Sequence, residues 1–349
     1  MGVFEQASDY ERVVFASDPA AGLRAIIAIH STRLGPALGG CRIMCYQSEQ
    51  DALTDVLRLA EGMTWKAAAA GLDLGGGKSV IIADPQRDKT EVMLRAFGRV
   101  VQSLDGRYIT SVDVGSSVAD LDEMRVETKW VVGMSPHQGG SGDPSPYTAR
   151  GVAAGMRSAL YHVDRDTSLS GRRIVIQGAG KVGYHLAGIC ASEGAEVLVA
   201  DPNVDALAKA CADHGVGTCS LDEVLEKECD ILAPCALGGV FNSDTIPTLG
   251  CRIVCGAANN QLATFEDAAA LEKAGILFAP DFIVNAGGLI SVADELHGWS
   301  EGRVLARVDR IARTLLDVLH LSGESGAPPA SAAVDYARNR IRTLTSLVP

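Results

Sequence analysis

The chain has 349 residues, a length that favours two domains because single domains usually contain about 100–200 residues. Hydrophobic residues make up 47% of it and charged residues 21%, which is ordinary globular usage and argues against wholesale disorder. The formal net charge of −12 disfavours nucleic-acid binding, which needs a basic surface.

The nine cysteines do not form the even, regularly spaced set of a small secreted disulfide-rich protein. We interpret them as small buried hydrophobic residues and predict no metal site. No apolar run reaches the roughly 18–20 residues that span a bilayer, and residues 1–15 lack a signal-peptide pattern. We therefore expect no membrane partner and a reducing, cytoplasmic compartment.

The first part of the chain alternates predicted strands and helices, as an α/β domain does. A continuous apolar segment predicts a strand at 23–30, a glycine-rich turn follows at 35–40, and 41–45 continues as a strand. The next predicted elements are helices 51–60 and 63–70, strand 79–83, helix 91–104, strand 108–112 and helix 118–126. The Gly-, Pro- and Ser-rich segment 135–146 then predicts a linker.

Beyond this linker, strands alternate with helices so regularly that a parallel, doubly wound sheet is predicted. The predicted helices are 148–161, 182–192, 204–214, 301–320 and 330–347. The predicted strands are 173–177, 196–200, 230–233, 252–255 and 276–279. The fold class expected is therefore α/β in both parts.

A dinucleotide-binding pattern, G-x-G-x-x-G, occupies residues 178–183 (GAGKVG). It follows a predicted strand and opens a predicted helix, which is the context that the motif requires. Gly178 allows a tight turn, Gly180 lets the backbone approach a pyrophosphate, and Gly183 lets the helix pack closely on the sheet.

The start of the helix, at Lys181 and Val182, offers free N–H groups and the positive end of the helix dipole to phosphates. The second strand of this part ends at Asp201, 23 residues after Gly178. A carboxylate at this position accepts hydrogen bonds from the ribose hydroxyls and repels a 2′-phosphate. The sequence therefore predicts NAD rather than NADP as the cofactor.

A second glycine run, 75–77, precedes Lys78 and Ser79 and partly matches a phosphate-binding P-loop. The match fails because Leu72 stands where the first glycine is needed, and because the residues after Lys78 predict a strand rather than a helix. We expect the glycines instead to let a ligand or another backbone come close to Lys78.

Two further charged residues are candidates, although each has an ordinary structural explanation. Lys66 is the only charged residue between Glu61 and Asp73, and a lysine on an Ala-rich helix can simply extend to the surface. Asp113 follows a predicted strand, where an aspartate commonly caps a turn.

Seven segments, in one order along nearly the whole chain, resemble the Glu/Leu/Phe/Val dehydrogenases, and most closely the leucine, valine and phenylalanine dehydrogenases. These segments are 34–40 (LGPALGG), 62–66 (GMTWK), 75–78 (GGGK), 108–115 (YITSVDVG), 233–239 (APCALGG), 256–261 (GAANNQ) and 284–288 (VNAGG). The resemblance implies a reversible, NAD-dependent oxidative deamination of an apolar L-amino acid to a 2-oxo acid and ammonia. It also implies a homo-oligomer.

The same resemblance implies a role for individual residues. Lys78 would be the catalytic base, Asp113 its proton partner, and Lys66 the ligand of the substrate carboxylate. Gly39 and Gly40 are expected to border the substrate. The pocket for the substrate side chain is expected to consist of Leu38, Ser111, Leu289 and Val292. Expected NAD contacts, besides the glycine loop and Asp201, are Thr148, Ala233, Cys235, Asn259 and Asn285.

The resemblance further implies a substrate domain at 1–134, a Rossmann NAD-binding domain at 135–329 and a C-terminal helix at 330–349 that packs back toward the first domain. The active site would be the cleft between the two domains. Glutamate is disfavoured as the substrate because the expected pocket offers no charge to a second carboxylate. Branched-chain and aromatic side chains both remain open.

Two alternatives from other classes remain. One is an NAD-binding sensor or structural protein that keeps the fold without turnover, which the presence of Lys66, Lys78 and Asp113 argues against. The other is a hydroxy-acid dehydrogenase, which would need a histidine–carboxylate pair near the nicotinamide. The histidine considered for this pair is His297, which follows Asn285 in the sequence, and we expect it to face solvent or an interface.

Overall fold

The computed structural model describes residues 2–346 and divides into two compact units. The first unit consists of the chain up to Asp143, Ser291–Glu301 and the chain from Ala337 onward. The second unit consists of Pro144–Ile290 and Gly302–Tyr336. Each unit carries one sheet, so the predicted two-domain α/β fold is confirmed.

The division between the units falls later than the expected boundary at residue 134. Glu295 explains the difference, because its carboxylate accepts hydrogen bonds from the backbone N–H groups of Gly133 (2.9 Å) and Ser141 (2.6 Å). These contacts hold the segment around Ser141 in the first unit. The C-terminal helix joins the first unit only from Ala337, where Arg340 donates hydrogen bonds to the Leu72 carbonyl and the Asp73 carboxylate.

The sheet of the first unit has five strands, namely Arg12–Asp18 (β1), Leu23–Ser31 (β2), Ala37–Met44 (β3), Gly75–Ile82 (β4) and Tyr108–Val112 (β5). Their order across the sheet is β1-β2-β4-β3-β5. β2 is antiparallel to β1 and β4, whereas β3 is parallel to β4 and β5. β3 therefore separates the strand that carries Lys78 from the strand that precedes Asp113.

Four helices accompany this sheet: Val3–Gln6 (α1), Glu49–Ala69 (α2), Glu91–Ser103 (α3) and Val118–Arg125 (α4). Side chains alternate along β2, so that one strand contributes to two cores on opposite faces of the sheet. Ile27 and Ile29 belong to the core formed with α3 and α4, whereas Ile26 and Ala28 belong to the core formed with α2.

Three sequence predictions in this unit were wrong in detail. The helices predicted at 51–60 and 63–70 are one helix, α2, because its buried positions continue at helical spacing through Thr64 and Ala67. β3 includes Gly39 and Gly40, which were expected to form a turn, and β4 begins at Gly75 rather than at Ser79, since these glycines pack as extended backbone against their neighbours. β1 was not predicted, because it is a half-exposed edge strand without a continuous apolar run.

The sheet of the second unit is entirely parallel in its described pairings, with the order β11-β10-β9-β6-β7-β8. Its strands are Arg173–Gln177 (β6), Glu196–Ala200 (β7), Gly217–Thr218 (β8), Cys229–Pro234 (β9), Cys251–Val254 (β10) and Leu277–Phe278 (β11). The chain order reverses between β6 and β9, the point at which doubly wound sheets bind ligands.

The remaining helices are Ser145–Asp164 (α5), Lys181–Ser192 (α6), Val204–His214 (α7), Asp267–Lys273 (α8), Asp281–Val284 (α9), Gly287–Asp294 (α10), Glu301–Val308 (α11), Arg310–Ser325 (α12) and Pro329–Thr345 (α13). The helix predicted at 301–320 is thus two helices separated at Asp309. The prediction of helix to residue 347 ends outside the described residues. None of the helices between residues 2 and 346 is both long and apolar enough to cross a membrane.

The packing of α2 on β4 can be tested at Gly76. A Cβ at Gly76 would lie 2.1 Å from the Thr64 backbone nitrogen, so Gly76→Ala must push the helix away from the strand and should cost about 1–3 kcal/mol of unfolding free energy. Gly62→Ala in the same helix is the control, since a Cβ there meets nothing within 4 Å and should stabilise α2 by up to about 1 kcal/mol. Equal denaturation midpoints for the two variants, followed by circular dichroism, would contradict this packing.

Candidate active site

Lys78 and Asp113 meet across the parallel part of the first sheet. Lys78 lies in the middle of β4 and is only 7% exposed. Its Nζ forms an ion pair with Oδ2 of Asp113, which directly follows β5. Because β3 lies between these two strands, the two side chains reach each other over the backbone of β3.

Two neighbouring glycines of β3, Gly39 and Gly40, lie where a side chain would collide with the backbone of β4 or with Asp113. The strand register places Gly40 opposite Ser111 on one side, and Cys41 opposite Ser79 on the other. A Cβ at Gly40 would lie 2.7 Å from the Cβ of Asp113, and a Cβ at Gly39 would lie 1.7 Å from the Gly77 carbonyl oxygen. Backbone packing alone therefore requires both glycines, and their contact with substrate stays a prediction.

The charges around Asp113 keep it ionised. Burial by itself raises the pKa of the Asp113 carboxyl, but the positive charges of Lys78 and then Arg42 outweigh burial, and the net shift of this pKa is downward. The backbone N–H of Asp113 donates a hydrogen bond to Ser116 Oγ at 2.9 Å, which fixes the turn after β5. Asp113 is therefore a carboxylate at neutral pH, able to accept a hydrogen bond from an ammonium group.

Arg42 is a site residue that the sequence analysis missed. It lies on β3, where its Nε is 3.6 Å from Asp113 Oδ2 and its Nη1 donates hydrogen bonds to both carboxylate oxygens of Asp55. The available signal was a charged residue inside the buried run of β3, because a charge in such a strand needs a partner. That signal identifies the arginine but not the carboxylates that it contacts.

Lys66 lies in the C-terminal half of α2 and is half-buried. Gly76 lets the backbone at Thr64 approach β4, which holds the helix that carries Lys66 against the strand that carries Lys78. Thr64 is fixed further by a 2.8 Å hydrogen bond between its Oγ1 and Nδ1 of His30. Both candidate lysines therefore belong to one rigidly packed pair of elements in the first unit.

Three residues of the expected side-chain pocket lie in the first unit and are buried: Leu38, Ser111 and Val292. Gly133, which the sequence analysis did not single out, brings two of them together. A Cβ at Gly133 would lie 2.9 Å from Ser111 Oγ and 3.4 Å from a Val292 methyl carbon. Leu289 is also buried but belongs to the second unit.

In the second unit, the glycine loop has the geometry of a phosphate-binding turn. Gly178 has a φ of +110°, and a Cβ at Gly183 would lie 1.9 Å from the Gly178 carbonyl oxygen. A Cβ at Gly180 would meet nothing within 4 Å, and no side chain caps the N-terminus of α6. Lys181 and Val182 therefore lie at a helix N-terminus without a side-chain cap, which stays the predicted pyrophosphate site.

Asp201 lies beside this loop. Its carboxylate accepts hydrogen bonds from the backbone N–H groups of Ala179 and Asn203, both at 2.7 Å. The first of these bonds links the end of β7 to the glycine loop at the end of β6. Recognition of the adenosine ribose by Asp201 stays a prediction.

The point where the chain order reverses joins the loops after β6 and β9. The N–H of Cys235 donates to the carbonyl of Gln177 at 2.7 Å, and a Cβ at Gly178 would lie about 3.0 Å from the Cys235 carbonyl carbon. Ala233 is fully buried within β9, so its side chain packs in the interior of the second unit, next to the loop that follows this strand.

Asn285 is 3% exposed and organises the next loop. Its Nδ2 donates to the Ala257 carbonyl and to Asn259 Oδ1, both at 3.0 Å. Its Oδ1 is buried with no hydrogen-bond partner among the described residues. A buried acceptor without a partner is costly unless a ligand or water supplies the donor, and this acceptor fits a carboxamide or ammonium group.

Thr148 lies in the first turn of α5, where its hydroxyl donates to the Pro144 carbonyl at 3.3 Å. A Cβ at Gly288 would lie 2.7 Å from this hydroxyl oxygen, so the start of α5 packs directly on the start of α10. The described residues contain no group of three or more His, Cys, Asp or Glu side chains that could hold a metal ion.

Comparison with known families gives matches that cover most of the chain. A model described as Glu/Leu/Phe/Val dehydrogenase, dimerisation domain, matches residues 10–130, and one described as Glutamate/Leucine/Phenylalanine/Valine dehydrogenase matches residues 201–345. Leucine dehydrogenase from Geobacillus stearothermophilus is 47% identical over 98% of this chain and 93% of its own length. The chain belongs to the Glu/Leu/Phe/Val dehydrogenase family. Valine dehydrogenase from Streptomyces coelicolor is 49% identical over 95% of this chain and 92% of its own length.

Solved structures agree with this membership. The crystal structure of L-tryptophan dehydrogenase from Nostoc punctiforme matches with a TM-score of 0.84 and 39% identity, over 98% of this chain and 99% of that one. A model of the NAD-binding domain of D-isomer specific 2-hydroxyacid dehydrogenases matches only residues 149–237, which is the dinucleotide-binding part. The protein is thus an amino acid dehydrogenase with NAD as its cofactor, and the family, fold class and cofactor expected from the sequence are confirmed.

The position of Asp201 generates a prediction about the cofactor. Asp201→Asn removes the negative charge and keeps one oxygen, which can accept only one of the two hydrogen bonds that Ala179 and Asn203 donate to the separate oxygens of Asp201. The preference for NAD+ over NADP+, measured as the ratio of kcat/KM values, should fall by about tenfold or more, since like charges in contact cost on the order of a few kcal/mol. Asp205→Asn, which changes an exposed carboxylate in the first turn of α7, is the control. An unchanged ratio in Asp201→Asn would remove Asp201 from cofactor selection.

Proposed function

We propose that this amino acid dehydrogenase oxidises an L-amino acid of the leucine or valine type, with Lys78 as the base, Asp113 as its proton partner and Lys66 as the ligand of the substrate carboxylate. The observation that carries these roles is the buried ion pair between Lys78 and Asp113. The carboxylate of Asp113 stabilises the buried positive charge of Lys78. The same two groups, an amine that can act as a base and a carboxylate, are those that the oxidation of an amine requires.

The substrate class follows from the pocket and from the relatives. Leu38 and Val292 are buried and apolar, and Ser111 adds only a hydroxyl, so these residues offer no charge to a side-chain carboxylate. Leucine and valine dehydrogenases share 47–49% of their residues with this chain, whereas the tryptophan dehydrogenase shares 39%. We therefore place branched-chain amino acids ahead of aromatic ones.

The mechanism assigns one task to each charged side chain. Lys66 binds the substrate carboxylate, and Asp113 accepts a hydrogen bond from the substrate ammonium group. Lys78 removes a proton from that ammonium group, because hydride can leave Cα only when the nitrogen carries a lone pair. NAD+, held by the glycine loop and Asp201, supplies the acceptor for that hydride.

Lys78 acts again when water adds to the imine carbon. It first releases the ammonium proton to solvent, then takes a proton from the attacking water and passes it to the nitrogen. As the carbonyl forms, Lys78 takes the hydroxyl proton, and the ammonia that leaves is protonated to ammonium. The balanced products are a 2-oxo acid, ammonium and NADH, together with one proton. In the reverse direction the same residues bind the 2-oxo acid and ammonia and pass the protons the other way.

We also propose that the protein is a homo-oligomer. The family model that matches residues 10–130 is described as a dimerisation domain, and those residues include the edge strand β1, on which Phe15 is 57% exposed. Unpaired edge strands with apolar side chains favour association with another chain. A monomeric mass in analytical ultracentrifugation would contradict the proposal.

An NAD-binding protein without turnover is the second candidate, and an amino-acid panel separates the two. With NAD+ as acceptor, we expect NADH absorbance to increase with L-leucine and L-valine, and not with L-glutamate or the D-enantiomers. L-phenylalanine and L-tryptophan complete the panel and report the size of the pocket, since a few methyl groups change selectivity by only about 1–3 kcal/mol. Binding of NADH without turnover of any amino acid would favour the silent protein.

The role of Lys78 predicts a selective loss of turnover. Lys78→Ala should lower kcat by about 10²–10⁴-fold, the usual contribution of a general base, while NADH binding, measured by fluorescence, stays unchanged. Lys66→Ala is the matched lysine variant, and it should act mainly on the KM of the amino acid, by roughly 10- to 150-fold for the loss of a charge-assisted contact. Near-normal turnover in Lys78→Ala would refute its role as the base.

A further inference from the structure

Four charged side chains form a continuous chain of contacts in the first unit. Lys78 Nζ contacts Asp113 Oδ2, Asp113 Oδ2 lies 3.6 Å from Arg42 Nε, and Arg42 Nη1 lies 2.9 Å from Asp55 Oδ2. The side chains of Arg42, Asp113 and Asp55 are 16%, 13% and 26% exposed. Charges this far from water interact strongly with their neighbours, so this chain acts electrostatically as one group.

Arg42 is fixed from its far side. It donates hydrogen bonds from one nitrogen to both oxygens of Asp55, at 3.2 and 2.9 Å, and Tyr46 Oη donates to Asp55 Oδ2 at 2.6 Å. Asp55 belongs to α2 and Arg42 to β3. The guanidinium group is therefore held in place by two elements and cannot follow Asp113 if that carboxylate moves.

Arg42 matters because Lys78 changes its charge during the reaction. While Lys78 is protonated, Asp113 has two cationic neighbours. When Lys78 is the neutral base, the carboxylate would be buried without a charged partner if Arg42 were absent, and an unpaired buried carboxylate tends to bind a proton instead. Guanidinium groups stay protonated at every pH at which proteins are folded, so Arg42 supplies a charge that does not vary.

We propose that Arg42 is a positioning residue that keeps Asp113 ionised while Lys78 releases and takes up its proton. The proposal rests on the proposed function, because it needs Lys78 and Asp113 as the pair that exchanges protons. Without Arg42, the proton that leaves Lys78 can remain on Asp113, and the carboxylate is then unable to accept a hydrogen bond from the substrate ammonium group.

The sign of the pH effect follows from the loss of a positive charge. Arg42 is one of the positive charges that lower the pKa of the Asp113 carboxyl, so its removal makes this carboxyl hold a proton more tightly. The limb along which deamination increases with pH should therefore move to higher pH. An arginine beside a carboxylate commonly shifts its titration by about one pH unit or more, which sets the expected size.

Other titratable groups face this pair from every element packed against it. They are Cys41 on β3, Tyr108 on β5, Asp55 on α2, Tyr46 before α2, Asp120 on α4 and Lys89, which pairs with Asp120. Burial raises the pKa of Cys41 to about 12 and raises the pKa of Tyr108 and Tyr46, so none of these three changes charge over the assay range. The substrate ammonium group also titrates, but it does so equally in all variants.

The test compares pH profiles of kcat/KM for deamination in the wild type, Arg42→Gln and Arg42→Lys. We expect Arg42→Gln to move the limb upward by about one pH unit or more, and Arg42→Lys, which keeps the charge, to lie closer to the wild type. Arg24→Gln is the control, because Arg24 also pairs with a carboxylate, Glu49 at 3.8 Å, but does so at an exposed position. Its profile should match that of the wild type.

A lower rate with an unshifted limb in Arg42→Gln would overturn the proposal and leave Arg42 a structural role only. If Arg42→Gln does not fold, Arg42→Gln combined with Asp55→Asn replaces it, since removing both members of a buried pair costs less than removing one. An upward shift is expected there too, because of the two charges removed, that of Arg42 lies closer to Asp113 than that of Asp55 does. A separate variant, Asp113→Asn, tests the proposed function itself. Normal turnover in that variant would refute the proposed function, independently of the result for Arg42.

Discussion

The candidate site depends on glycines at the centre of the first sheet, in β3 and β4, because a side chain at these positions would collide with neighbouring groups. Lys78 and Asp113 lie on opposite sides of β3, and any side chain at Gly40 would occupy the space where they meet. Gly76 on β4 has the same effect toward α2, since it lets the backbone at Thr64 approach the strand. Lys78, buried in the sheet, thus reaches its carboxylate partner across a position of β3, Gly40, that has no side chain.

The sequence was most informative where function depends on local geometry. The glycine loop at 178–183 and Asp201 were both predicted from spacing, because a strand, a tight turn and a helix start are determined by neighbours in the chain. The structure adds the 2.7 Å bond from the Ala179 N–H to Asp201, which spacing alone does not give. Family resemblance extended these predictions to residues such as Asn285, whose buried, unpartnered oxygen supports a ligand contact.

Contacts between distant segments were beyond sequence reasoning. Arg42 and Asp55 are separated by 13 residues and lie on different elements, so neither residue type nor spacing predicts their pairing. The glycines at 75–77 were correctly expected to allow close approach, but they were not expected to be strand residues, because glycine disfavours strands in general. Packing against Ser31, Thr64 and Tyr108 outweighs that preference, and such packing becomes visible only when the whole sheet is assembled.

The charge balance of the first unit shows why a chain of ions suits this chemistry. Lys66, Lys78 and Arg42 contribute three positive charges, and Asp113 and Asp55 contribute two negative ones, so the set is neutral when Lys78 is the free base. A zwitterionic amino acid adds no net charge. In the proposed mechanism, transfer of a proton from its ammonium group to Lys78 moves a positive charge within the site and creates none, so no isolated ion has to be stabilised away from water. Arg42 makes this balance possible, because it lets Asp113 keep its charge before and after the transfer.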